Sequence, residues 1–293
     1  MGTFAGHILP GLALAFLGLW HTFSAVKAYY TSGSLNFSTR FWYPVGTGTG
    51  NKLRHLELVL IFIISVLAIV MQLFDYPFLR MAFKLDNFEH ATIFLHLAVF
   101  SAVSLCAELA GLSDAVAGVV GVLAASVFGQ ELFLLHFHST DHVGLEGHYH
   151  WILQLIVLAS FLGAIGCTIH PTSFPSAIVL STSVVLQGCW FAVMGFVLWA
   201  PGFAPRGCAA DTSQDRGAVA CETHEADARA RALANMQFSW IVSAVLIVTA
   251  CLCLKMAAKH WSRSSRSAEY QQLQVPAADN VQMATNVFKL YDV

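Results

Sequence analysis

Residues 56–74, LELVLIFIISVLAIVMQLF, are apolar apart from Glu57, Ser65 and Gln72. A bilayer core is about 30 Å thick and a helix rises about 1.5 Å per residue, so roughly 20 such residues span a membrane. Working outward from this stretch, six more runs meet the same requirement: Ile8–Val26, Ala91–Ala107, Ala115–Phe137, Tyr149–Ile169, Ser176–Ala200 and Met236–Leu254. Backbone polar groups exposed to lipid have to bond within their own segment, and none of the runs alternates like a barrel strand, so each is expected to be a helix. The wider composition agrees. Of 293 residues, 57% are hydrophobic and 11% charged, against about 25% charged in soluble domains. The fold class expected is an all-α membrane protein, a seven-transmembrane-helix bundle. Residues 1–260 form the transmembrane domain, with an extramembrane loop at 201–235, and 261–293 form a disordered tail. Short links at Gly111–Asp114 and Pro171–Pro175 make neighbouring helices antiparallel.

The first run follows no basic residue and is as long as a span, so it reads as a retained helix, not a signal peptide. Lys and Arg stay on the cytoplasmic side. Lys27, Arg40, Lys52 and Arg54 after the first helix share a face with Lys255, Lys259, Arg263 and Arg266 after the seventh. This places the N-terminus outside or in a lumen and the C-terminus in the cytoplasm, although Arg80, Lys84, Arg206, Arg216, Arg229 and Arg231 on the other side bring the count close to parity. Of seven cysteines, only Cys208 and Cys221 lie in a polar loop, where an oxidising compartment would join them as a disulfide. That loop then falls on the outer face, as the charges require. Within it, Glu225 with Arg229 and Asp227 with Arg231 have the spacing of helical ion pairs, so a solvated helix leads into the last span. In the tail, Tyr270 and Leu273 frame a Tyr-x-x-Leu sequence of the form bound by clathrin adaptors as an extended strand.

With this topology His7, Glu89, His90, His136, His148 and His150 gather at the outer leaflet, while His21, His55 and His170 fall at the other. His7, His90, His136, His148 and His150 are therefore the candidate metal set. A zinc ion would accept neutral imidazole nitrogens, at most one from each helix, because residues two apart point about 200° away from each other. The bland alternative is a belt of interfacial rings. No short closed zinc signature is present. Glu131, beside Gln130 inside the fourth run, is a carboxylate at a depth where ionisable groups mark functional sites, and His96 is within reach of it across the bundle. Glu57, close to Arg54, reads as structural. Gly118 and Gly121 are small enough to serve helix packing.

The opening MGTFAGHILPG (1–11), the sequence Asn87-Phe-Glu-His90 and the hairpin from His136-x-His138 to Glu146-Gly-His148-Tyr-His150 together resemble the transmembrane protein 45 family of seven-helix proteins, over about residues 1–260. The resemblance implies a multi-pass location in the plasma membrane or the secretory and endosomal membranes, and it brings no catalytic residue. Two classes stay open. One is a zinc-dependent intramembrane lipid amide hydrolase similar to the alkaline ceramidases, whose last helix carries paired histidines that Met236–Leu254 lacks. The other, favoured, is a non-enzymatic protein with an outward histidine-lined cavity: a metal or proton carrier, or a trafficking factor that recruits adaptors. A net charge of −2 without a basic patch speaks against nucleic-acid binding.

Overall fold

The computed structural model describes the backbone of residues 3–46, 53–75, 80–81, 85–139, 144–210 and 219–288, and their side chains except at 75, 80–81, 85–86, 138–139, 210 and 262–288. Among the described residues seven helices are long and apolar enough to cross a membrane. They are α1 (Phe4–Ser32), α2 (Leu56–Leu73), α3 (Leu85–Leu109), α4 (Ala117–Ser139), α5 (Gly144–Ile169), α6 (Phe174–Trp199) and α7 (His224–Phe288). Two-residue strands β1 (Phe74–Asp75) and β2 (Arg80–Met81) form a hairpin between α2 and α3, and β3 (Cys208–Ala210) pairs antiparallel with β4 (Val219–Cys221) before α7.

The expected runs coincide with these helices except at Phe74, Ala115, Val116 and Ala200, which lie just outside them, and the helices extend further at several other ends. At α1 the reason is a cap: Thr3 Oγ1 accepts the Gly6 N–H at 3.1 Å and starts the helix before the apolar run. Helix α7 starts at the acidic first turn Glu225 and Asp227, where carboxylates complement the helix dipole. Asp227 pairs with Arg231 at 2.7 Å, as its spacing requires. Arg229 instead donates to the carbonyl of Arg206. At the other end α7 runs past Trp261 to Phe288. Tyr270 and Leu273 sit on this extension; their side chains are outside the described ones.

Two packed pairs dominate the bundle. Helix α1 lies on α6, and α2 lies on α3, while α1 and α2 scarcely touch along their length. Helix α5 stacks between α4 and α6. Its face carries the largest cluster, Tyr149, Ile152, Leu153, Ile156 and Val157 against Trp190, Met194 and Leu198. Trp190 Nε1 donates to the Tyr149 carbonyl at 2.9 Å, and the Tyr149 hydroxyl donates to Gln237 Oε1 at 2.9 Å, which ties α7 to this core. Buried Trp and Tyr need such partners for their polar atoms.

Cys208 and Cys221 form the expected disulfide, with their Cα atoms 3.9 Å apart across β3 and β4. In the chain-entropy picture a loop of this size is stabilised by about 3 kcal/mol. Because the hairpin is small, the effect stays local. Replacing both cysteines by serine is expected to speed proteolytic cutting within 201–223 while leaving the unfolding temperature of the bundle unchanged. Peptide mapping of a timed digest checks this; equal cutting in both proteins would contradict it.

Candidate functional site

The gap between the α1–α6 pair and the α2–α3 pair is a cavity of about 710 Å³. This is within the range of roughly 300–1,000 Å³ usual for small-molecule sites. Six helices line it, and the polar side chains are unevenly placed. His7, Asn87, His90, Glu146 and His150 lie at one end, Glu131 and Gln187 further in, and Leu17, Leu56, Leu60, Ile61, Ile64 and Leu97 make much of the remaining wall. At the opposite end the cavity stops at Trp20 and Glu57.

The histidine end is built by antiparallel helices whose termini meet. His7 is buried and stacks on Trp199 at 4.2 Å between ring centroids, with His150 edge-on at 6.4 Å. Gly195 makes room for this approach, since a Cβ there would meet Ile8 and His7. His7 Nδ1 donates to the Thr3 carbonyl and His150 Nδ1 to the Glu146 carbonyl, both at 3.0 Å. A carbonyl only accepts, so in each neutral ring the proton sits on Nδ1 and the lone pair on Nε2. Pro10, one turn further along α1, cannot donate to the Gly6 carbonyl and also lines the cavity.

Of the five histidines singled out in the sequence, the fold thus brings His7, His90 and His150 to one cavity. His136 is exposed and approaches Gln154 Oε1 at 3.4 Å. His148 Nε2 donates to Asn235 Oδ1 on α7 at 2.8 Å. Both are off the cavity wall, because each sits on a face of its helix turned away from the gap. Glu89 is also off the wall, and the side chain of His138 is outside the described ones. Among the described residues no three His, Cys, Asp or Glu side chains are grouped to hold a metal ion.

Glu131 does line the cavity, half-buried. His96 approaches Ser126 Oγ at 3.4 Å and does not reach Glu131. The depth of Glu131 follows from the register of α4 on α5. Gln154 Nε2 donates to the Leu135 carbonyl, and Gly129 packs on Phe161, so Glu131 lies near the level of Leu158. Gln187 Nε2 donates to Ser160 Oγ at 2.7 Å and therefore lies at the same level. Eight residues separate Leu158 from His150, which is about 12 Å along the helix. Nothing in the sequence reading singled out Gln187. The signal was there: an amide inside the apolar stretch Val184-Val-Leu-Gln187 is a polar group at membrane depth, as Glu131 is.

At the far end Glu57 is the buried hub. It accepts from Trp20 Nε1 (2.8 Å) and the Tyr43 backbone N–H (3.0 Å) at Oε2, and from His21 Nε2 (2.7 Å) at Oε1. The structural role read for it is therefore right, but its partners differ. Arg54 turns instead to Glu108 at 3.4 Å. An exposed guanidinium stays hydrated more cheaply than it follows a carboxylate into the bundle. Burial pushes the Tyr43 phenol up from its usual value, so it stays neutral beside the Glu57 carboxylate.

Residues 117–254 match the model of a family of unknown function, DUF716. The match begins at the first residue of α4 and runs into the apolar part of α7. It therefore includes Glu131, Glu146, His150 and Gln187 of the cavity wall.

Proposed function

We propose that this chain is a multi-pass membrane protein that draws an amphiphilic molecule from the bilayer into the cavity between α1 and α2. Its polar part points to the His7 end and its hydrocarbon to the Glu57 end. The observation that carries this reading is the division of the cavity wall: polar residues at one end and midway, then side chains of hydrocarbon as far as Trp20 and Glu57, whose polar atoms are bonded to each other. The rim adds to it. Phe16 is 71% exposed, Leu60 46% and Ile64 50%, and all three also line the cavity, so the opening lies along the apolar length of the helices. A molecule crossing such a rim comes from lipid. The charge distribution and the Cys208–Cys221 bridge support placing the His7 end outside or in a lumen. The DUF716 match supports the resemblance to the transmembrane protein 45 family.

Tryptophan fluorescence in lipid nanodiscs tests the reading. A single-chain lipid brominated near its tail is expected to quench Trp20 saturably, and Trp20→Phe to remove that component. Filling the hydrocarbon part of the cavity with Val127→Phe plus Val184→Phe is expected to weaken saturable quenching at least about tenfold, given an overpacking cost of roughly 1–3 kcal/mol to seat both ligand and ring. Quenching that rises linearly with bromolipid, alike in wild type and filled variant, would refute a bound amphiphile.

A further inference from the structure

The orientation of one amide narrows the ligand. Gln187 is fully buried, with none of its surface exposed. Its two polar atoms have different fates. Ser183 Oγ donates to the Leu180 carbonyl at 2.8 Å, and Ser160 Oγ donates to Ser183 Oγ at 2.8 Å. Each hydroxyl has a single proton; Ser160 Oγ gives its own to Ser183 Oγ or to the Ile156 carbonyl at 3.2 Å, and with either acceptor it is left to accept from the Gln187 NH₂. The chain of hydrogen bonds starts at a main-chain carbonyl and fixes the amide through its whole length. Gln187 Oε1 is left as a buried acceptor with no partner. Buried polar atoms without a partner are rare, because losing water without a replacement bond costs free energy.

Glu131 stands at about the same depth, on α4. Its carboxylate makes no hydrogen bond or ion pair with any described residue, although the third carboxylate of the wall, Glu57, is fully engaged. Among the described residues that line the cavity there is no Lys or Arg. The middle of the cavity therefore has the Glu131 carboxyl group on its wall and the buried Gln187 acceptor within that wall, and no fixed cation answers them. A group that only donates and carries positive charge is the complement. An alkylammonium has three donors and no acceptor; a hydroxyl has one donor; a carboxylate or phosphate would meet like charge.

We infer that the molecule taken up is a lipophilic amine, its ammonium held at the depth of Glu131 and Gln187 Oε1 and its hydrocarbon directed toward Trp20. This inference rests on the amphiphile reading above and adds the chemical class of the head. The His7 end then acts as a polar vestibule above the seated head, not as its anchor.

Competition against the brominated chain in nanodiscs tests it, with hexadecylamine, hexadecanol and hexadecanoate as probes at equal mole fraction in the bilayer. The amine is expected to compete about tenfold better than the alcohol and the carboxylate to compete least, in keeping with the greater strength of charge-assisted hydrogen bonds. Glu131→Gln is expected to bring amine and alcohol within about threefold of each other without weakening the alcohol, because it removes the charge and keeps the volume. The wild-type ranking stands on its own if a variant does not fold. A carboxylate that competes as well as the amine, or an amine-to-alcohol ratio untouched by both Glu131→Gln and Gln187→Leu, would overturn the inference and mean that water serves these acceptors. If none of the three probes displaces the bromolipid, the amphiphile reading itself falls.

Discussion

Gly188→Leu is expected to leave no stably folded bundle. Gly188 sits where α6 crosses α1 backbone to backbone. A Cβ placed there would stand 2.2 Å from the Ala15 nitrogen and 2.5 Å from the Gly11 carbonyl oxygen, separations that no relaxation of a side chain relieves. The two helices would have to part. Membrane helices gain their association from close packing, since lipid tails are as apolar as the helix surface, so this contact cannot be replaced by burial elsewhere. Even one methyl group in a packed site costs about 1–3 kcal/mol, and an isobutyl group against backbone costs more. Gly118 supplies the control, because no atom lies within 4 Å of a Cβ there. Gly118→Leu is expected to purify as wild type in detergent size-exclusion chromatography, while Gly188→Leu aggregates. Equal monodisperse yields would show that α1 and α6 do not meet this closely.

Glu57→Ala is expected to have the next largest effect. The carboxylate gathers donors from α1 and from the segment that follows it, and it is itself on α2. It is the clasp between two helix pairs that scarcely touch elsewhere. Removing it leaves the Trp20 indole, the His21 ring and the Tyr43 backbone N–H without an acceptor in a buried place. Loss of one partner from a buried ionic cluster costs about 3–5 kcal/mol. For a chain of this size that corresponds to a drop of roughly 10 °C in unfolding midpoint. Glu57→Gln keeps one acceptor and turns an N–H toward a donor, so it should fall between Ala and wild type. Thermal unfolding followed by static light scattering reads both. Midpoints within a degree of wild type for Glu57→Ala would show that the clasp carries no load.

The seven helices were legible because lipid leaves the chain few options: a span has to be long, apolar and internally bonded, and that leaves its mark on every residue of the run. Their partners were not. That α1 packs on α6 depends on Gly11 meeting Gly188 and Gly18 meeting Ser181 and Val185, far apart along the chain, and a glycine in an apolar run looks the same whether it meets a helix or lipid. Gly118 and Gly121 show the ambiguity directly: both sit near the start of α4, yet only Gly121 meets a neighbour, Thr168. His7, His90 and His150 line one cavity, with the rings of His7 and His150 edge-on to each other. Which histidines face the cavity depends on the rotation of each helix, which apolar helices with little amphipathic asymmetry do not record. That is why His136 and His148 were grouped with His7, His90 and His150. Glu131 stood out because a carboxylate at membrane depth is conspicuous. Gln187 did not, because an uncharged amide is a weaker signal until its neighbours Ser160 and Ser183 are seen.

The account turns on a molecule lodged inside the bundle. Native mass spectrometry of the protein released from nanodiscs made with trace hexadecylamine tests this most directly. One bound amine per chain is predicted for wild type and none for the Val127→Phe plus Val184→Phe protein. Bare chains in both, or equal adducts in both, would contradict the claim that the space between α1 and α2 is a binding site.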